Sequence, residues 1–239
     1  MVGMGTIVNV CAVIVGSSIG MFLNGGLKQR FQDILMQALG LSTIFLGLAG
    51  TLKGIFVIHG SALDTTGTMV MIISLVVGGL LGEVINIEDK IESFGEWLKQ
   101  KARSGGDSKF VEGFVTATLV ICIGAMAVVG SVQDGVSGDA TMLYTKAILD
   151  FIIVMVLASA YGKGVIFSAI PLGIFQGLIT AFAHLIQPVL TQQMIQNISY
   201  VGSILIFCVG VNLSFGKKFK VGNLLPALIA AIACSFFTI

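Results

Sequence analysis

Two carboxylates of this chain stand inside long apolar stretches, where a carboxylate can bind a cation or carry a proton. Asp150 lies in the apolar stretch 143–161, and at 1.5 Å per residue it is about 3 Å from the middle. An ionised carboxylate at the centre of a bilayer costs roughly 2.5–3.5 kcal/mol on insertion scales. Asp150 is therefore expected to face other helices, where it is paired, protonated or hydrated. Glu83 sits near the end of the stretch 68–86. Two readings are open for it: a specialised site, or a side chain that reaches the interface and pairs locally.

A second candidate element is the run Ser168-Ala-Ile-Pro171-Leu-Gly-Ile-Phe-Gln176-Gly177. Proline has no N–H, so a proline within a helix leaves the carbonyl of Phe167 without its partner. Broken helices of this kind form substrate or ion sites in transporters, and a simple kink is the competing reading. Ser168, Gln176 and that carbonyl are expected to line a polar cavity with Asp150, with Asn9 and Asn212 as further liners. Lys146 stands four residues before Asp150. If the two pair on a closed, dry interface, a transport reading loses its main support.

Other chemistries find no support. His59 and His184 are far apart, without HxxxH or HExxH spacing, so no metal site is expected. Cys11, Cys122, Cys208 and Cys234 lie singly in apolar stretches, as small packing residues do. The run 131–139 is rich in turn formers and acids without the ligand order of a calcium loop, and reads as an ordinary outer turn. No phosphate loop, nucleophile elbow or thiol–histidine pair is present, so no cofactor and no enzymatic activity are expected.

The elements that carry these residues follow from composition. Of 239 residues 56% are hydrophobic and only 10% charged, against roughly 45–50% and about 25% in soluble domains. So much apolar surface cannot be hidden in one soluble core of this size. With 13 basic and 12 acidic residues the net charge is +1, which gives no field for nucleic acid. The chain is expected to be an all-α, polytopic transmembrane helix bundle in a single domain, 1–239. A span takes about 20 apolar residues. The candidates are 5–23, 36–58, 68–86, 112–132, 143–161, 164–187, 198–215 and 222–238, about eight spans with seven as the alternative.

Basic residues test this parse. Lys28, Arg30, Lys90, Lys99, Lys101, Arg103, Lys109, Lys163, Lys217, Lys218 and Lys220 all fall on one side of it, leaving Lys53 and Lys146 for the other. That asymmetry is the positive-inside pattern. It places these loops in the cytoplasm and both termini outside. The segment 87–110 reads as a cytoplasmic interfacial helix with Trp97 near the headgroups and a flexible link after it. A shorter version, with Leu27, Phe31 and Ile34 on one side, is expected over 27–35.

An internal repeat is suggested at an offset of 62 residues. Val15-Gly16-Ser-Ser-Ile-Gly20-Met21-Phe-Leu-Asn24 aligns with Val77-Gly78-Gly-Leu-Leu-Gly82-Glu83-Val-Ile-Asn86. The repeat units are 5–58 and 68–132, with 143–238 as the second half. Duplicated units recur in secondary transporters. Pairs four apart, namely Gly16/Gly20, Gly78/Gly82 and Gly173/Gly177, provide faces for close helix packing or for a homo-oligomer.

Gly5-Thr6…Asn9, Ser131-x-Gln133-Asp134-Gly135, Lys146…Asp150 and Gly162-Lys163-Gly164…Pro171…Gln176-Gly177 together resemble the domain-of-unknown-function family 554. These are bacterial multi-helix membrane proteins, and the resemblance spans nearly the whole chain. It implies a bacterial inner-membrane protein and supplies neither substrate nor catalytic residues. The expected function is a secondary transporter or channel for a small solute or ion, with H+ or Na+ as coupling ion and the lipid bilayer as surroundings. The alternative is a membrane scaffold or regulatory protein without transported substrate.

Overall fold

The computed structural model describes residues 1–24, 28–59 and 62–236. The helices are α1 (Met4–Asn24) and α2 (Gln29–Ile55), then, after the strands β1 (Phe56–His59) and β2 (Ala62–Thr65), α3 (Thr68–Ile85) and α4 (Ile87–Lys101). They continue as α5 (Phe110–Cys122), α6 (Ala125–Ser137) and α7 (Thr141–Tyr161). A 3-10 turn (Gly162–Ser168) leads to α8 (Ala169–Ala181), α9 (Ala183–Ile186), α10 (Gln192–Phe215), α11 (Val221–Leu224) and α12 (Pro226–Cys234).

The architecture is all-α and polytopic. Among the described residues, five helical stretches are long and apolar enough to cross a membrane: 4–23, 29–55, 68–85, 141–181 and 192–215. The pair α5 and α6, bent by 62°, makes a sixth if the two together are one span, and 221–234 is shorter. A straight helix of 41 residues would be about 60 Å long, twice the hydrocarbon core. The stretch 141–181 instead folds back on itself. Gly5 of α1 faces Leu143 and Gly20 faces Ala158, so α7 runs parallel to α1. Thr6 meets Thr180 and Asn9 meets Gln176, so α8 runs antiparallel to it. The reversal occurs where Gly162 takes φ 77°, a value that favours glycine.

Two compact units can be distinguished. The first comprises residues 1–39, 90–122 and 126–189. In it α1 packs closely against α7, where a Cβ at Gly16 would lie 2.6 Å from the carbonyl oxygen of Phe151. Helix α5 lies on the 3-10 turn, with the rings of Phe110 and Phe167 5.3 Å apart. Phe94 of α4 stacks on Trp97 at 5.6 Å and meets Phe114 edge-on, while Leu98 is buried. The second comprises residues 40–89, 123–125 and 190–239. There α10 runs antiparallel to α2, pairing Gly40 with Ser214 and Gly54 with Tyr200. Val201, Ala227 and Ala231 form the core between α10 and α12. Outward faces stay apolar, as with Leu46, Leu80, Ile148 and Ile174, which suits lipid surroundings.

Several expectations are corrected. Among the described residues no separate interfacial helix precedes α2, which runs unbroken from Gln29 to Ile55. Leu27, which opened that expected helix, lies outside the described residues, as do 237–238 at the end of the last expected span. Residues 56–58 leave the helix for a hairpin in which Phe56 pairs with Thr65; Val57 and Ile58 are β-branched and favour strands. The supposed outer turn is helical through Ser137. Pro171 is the third residue of α8, where its missing N–H would be unpaired in any case. The sharp break lies instead between α5 and α6, at Ile123-Gly124, with φ 142° at Gly124.

Candidate functional site

The site is built on four helices of the first unit. Asp150 is the tenth residue of the 21 in α7, hence at its centre. Its side chain is almost fully buried, as is that of Lys146 one turn earlier. The Lys146 ammonium pairs with Asp150 Oδ2 and also donates to the carbonyl of Ile121 at 2.7 Å. That carbonyl is free because α5 stops at Cys122, so no following turn supplies an N–H. From α1, Asn9 Nδ2 donates to Asp150 Oδ2 at 3.0 Å and to Gln176 Oε1 of α8 at 3.4 Å. Both amide side chains are wholly buried.

Not every polar group in this unit is satisfied. Asn9 Oδ1, Gln176 Nε2, Thr118 Oγ1, Ser17 Oγ and Ser131 Oγ are buried without a partner among the described residues. A buried unpaired polar group costs about 1–3 kcal/mol, so several in one unit call for an explanation. Two of them belong to the amides of Asn9, which touches Asp150, and of Gln176, which touches Asn9.

The structure brings three of the expected residues together, Asp150, Asn9 and Gln176, and adds Lys146 and the Ile121 carbonyl. The i, i+4 spacing was the sequence signal for Lys146. It places Ser168 elsewhere: its hydroxyl donates to the Val165 carbonyl at 2.7 Å within the 3-10 turn. The Phe167 carbonyl receives the Ala169 N–H, and Pro171 breaks no helix. Glu83 and Asn212 belong to the second unit. Glu83 accepts from Lys220 Nζ and Asn223 Nδ2, each at 2.7 Å, which is the local pairing among its two readings. The Glu83 carboxylate holds the Lys220 ammonium above its ordinary pKa. Asn212 clasps the loop after α10, accepting from the N–H groups of Lys218 and Phe219 and donating to the Phe219 carbonyl. A cavity of ≈ 500 Å³ lined by Gln32, Asp107, Lys109 and Tyr161 contains none of these residues, and the Asp150 cluster is closed.

Asp134 is a residue that sequence reasoning misread. It is fully buried in α6, and its oxygens accept the N–H of Gly3 at 3.1 Å and of Gly5 at 3.0 Å. A carboxylate there satisfies orphan donors at the start of α1 and complements the helix dipole. Asp134→Ala should cost about 2–3 kcal/mol, as for hydrogen bonds to a charged group, read as a lower melting temperature of the detergent-solubilised protein. An unchanged melting temperature would show that the clamp contributes nothing.

A bundle of long apolar helices with lipid-suited outer faces and a buried charged cluster defines a polytopic helical membrane protein. Within that class, the chain belongs to the protein family of unknown function DUF554, whose model matches residues 4–236. It is 37% identical to the uncharacterized membrane protein YdfK of Bacillus subtilis (strain 168), over 94% of this chain and 92% of that protein. It is 26% identical to the uncharacterized protein YqgA of Escherichia coli (strain K12), over 97% and 95% of the two chains. No solved structure matches it.

Proposed function

We propose that the protein is a secondary carrier for a small solute or ion, with the Asp150–Lys146–Asn9–Gln176 cluster as its site. The observation that carries this reading is a charged pair buried at the centre of α7 beside amides with unpartnered polar atoms. The pairing of Lys146 with Asp150 is the case in which the sequence reading loses its main support, so the carrier reading rests on the unpartnered amide atoms beside the pair and not on a free carboxylate. The pairing leaves a site that is neutral as a whole and able to open, since each charge can be offered another partner. Charged groups inside membrane helices are expensive to keep, and a purely structural contact would not need two amides beside it that each leave one atom unpartnered. A closed cluster suits a carrier, in which access alternates, better than a pore. The bent α5–α6 pair and the Ile121 carbonyl at the end of α5, which accepts from Lys146, supply the irregular backbone on which such sites are built.

In this reading the chain crosses a bacterial inner membrane about eight times. The arms of 141–181 count separately, the basic loops lie in the cytoplasm and both termini lie outside. The test uses proteoliposomes loaded with a mixture of small polar solutes, amino acids and organic acids among them. Mass spectrometry follows what leaves under an imposed H+ or Na+ gradient. At least one solute should leave faster than from protein-free vesicles, and Asp150→Asn, which keeps an acceptor for Lys146, should slow it about tenfold or more, as for loss of an essential charge of roughly 1.4 kcal/mol or greater effect. Equal efflux from protein-free, wild-type and variant vesicles would overturn the proposal.

A further inference from the structure

The partners of Lys146 are oxygens throughout: the Asp150 carboxylate and the Ile121 carbonyl. A third oxygen belongs to a side chain of the same cluster. Asn9 Oδ1 is buried and unpartnered, and it shares an amide group with the nitrogen that touches Asp150. One carboxylate, one main-chain carbonyl and one amide oxygen form a donor set for a hard cation. The charge of that set, with the C-terminal end of α5 beside it, suits a single positive charge. With a single carboxylate and two neutral oxygens the set lacks the charge and softness that divalent or transition metals require, and no group of three or more His, Cys, Asp or Glu that could hold a metal ion is found among the described residues.

Lys146 is the member of the pair able to move. It is the sixth residue of α7, about 7.5 Å along the axis from the first. Its four-carbon stem can carry the ammonium toward that end of the helix, as lysines near span ends do. Asp150, at the centre, has no such exit. Departure of the ammonium alone would strand a buried carboxylate, which is strongly unfavourable. Departure with a cation arriving leaves the charge of the site unchanged. Asn9 then gains a use for its idle oxygen, because rotation of the amide turns Oδ1 toward the incoming ion while Nδ2 turns away.

We infer that the Lys146 ammonium is a tethered occupant of a monovalent-cation site formed by Asp150, the Ile121 carbonyl and Asn9, and that Na+ competes with it for that site. This rests on the carrier reading for its purpose, but the binding site stands or falls separately. Lys146 acts as a built-in competitor that keeps the carboxylate neutralised while the site is without its ion.

The experiment uses the full chain in detergent micelles, with NaCl against choline chloride at equal ionic strength. In the wild type, Lys146 should react faster with an amine-directed acylating reagent in NaCl, as read by peptide-resolved mass spectrometry, with other lysines unchanged. Direct 22Na+ binding should be at least tenfold tighter in Lys146→Gln, which lacks the competitor, and absent in Lys146→Gln/Asp150→Asn. Equal Lys146 labelling in both salts, together with no 22Na+ binding by a monodisperse Lys146→Gln, would overturn the inference. If that variant fails to remain monodisperse, the wild-type labelling decides alone. Faster labelling on acidification but not with Na+ would also overturn it, in favour of a proton as the competing ion. Na+ binding without flux of any solute would remove the carrier reading and leave the site. Flux with no response to Na+ would do the reverse.

Discussion

Asp150→Ala should lower the stability of the protein by roughly 3–5 kcal/mol, the usual cost of removing one partner from a buried ion pair. The pair stands at 7% and 5% side-chain exposure, so the stranded Lys146 ammonium would have to give up the Ile121 carbonyl as well and swing along its stem toward the start of α7 before water could receive it. Local helix energetics contribute little. Lysine preceding an acid at i, i+4 is the weaker order for such a pair. The cost therefore arises from burial. Lys146→Met combined with Asp150→Leu should regain most of it, because replacing a buried pair by apolar residues of similar volume is often neutral or stabilising. Melting of the solubilised protein measures both. The double variant also separates stability from function: a protein as stable as the wild type but without transport would show that the pair is kept for what it does. If Asp150→Ala melts with the wild type, the pair is not formed in the native state.

The same cluster shows how far the amino-acid sequence reaches. Asp150 was legible because an acid in the middle of an apolar stretch has no cheap explanation. Gln176 was legible as a polar residue beside the proline and Asn9 as a further polar liner, and the structure joins all three. Lys146 counts to one membrane side and, by its i, i+4 spacing, also stands as a possible partner of Asp150, and the pair is what the structure has. Hydropathy windows place a residue near a helix end without showing where its long stem leads. Asn212 and Glu83 look much like the site residues in one dimension, yet both serve nearby main chain or lysines. Only tertiary contacts tell these cases apart.

The helix breaks were the other limit. Pro171 drew attention because proline is the strongest local signal, but in the first turn of α8 it costs nothing. The bend of 62° between α5 and α6 contains no proline. Its one local sign is Gly124, whose φ of 142° few other residues adopt. Among so many glycines of the chain such a sign does not stand out. The turn at Gly162-Lys163-Gly164 was legible as a short connection, and it does reverse the chain between α7 and α8.

Glycine also carries the second large expected effect. A Cβ at Gly82 would lie 1.8 Å from the carbonyl oxygen of Asn223 and 2.6 Å from its carbon. At Gly20 it would lie 2.2 Å from the Met155 carbonyl oxygen. These atoms are main chain, so no side-chain rotation relieves the clash, and the helices must part along their seams. Overpacking of this kind typically costs 1–3 kcal/mol and occasionally more. Gly82→Ala should fall at or above about 3 kcal/mol, with Gly20→Ala close behind, each offset by at most about 1 kcal/mol of gained helix propensity. Gly177→Ala provides the contrast. It belongs to an equally spaced pair, yet a Cβ there meets nothing within 4 Å, and the change should stabilise α8 by about 0.5–1 kcal/mol. Gly20 and Gly82 occupy matching positions of the two similar stretches, but their neighbours run differently: α7 parallel to α1, and α12 antiparallel to α3, where Ser74 meets Cys234 and Gly78 meets Ala227. Similar losses at both positions would show that one glycine spacing serves two packing geometries. Melting curves for the three variants decide it: if Gly82→Ala melts no lower than Gly177→Ala, the close seam between α3 and α11 does not exist in the folded protein.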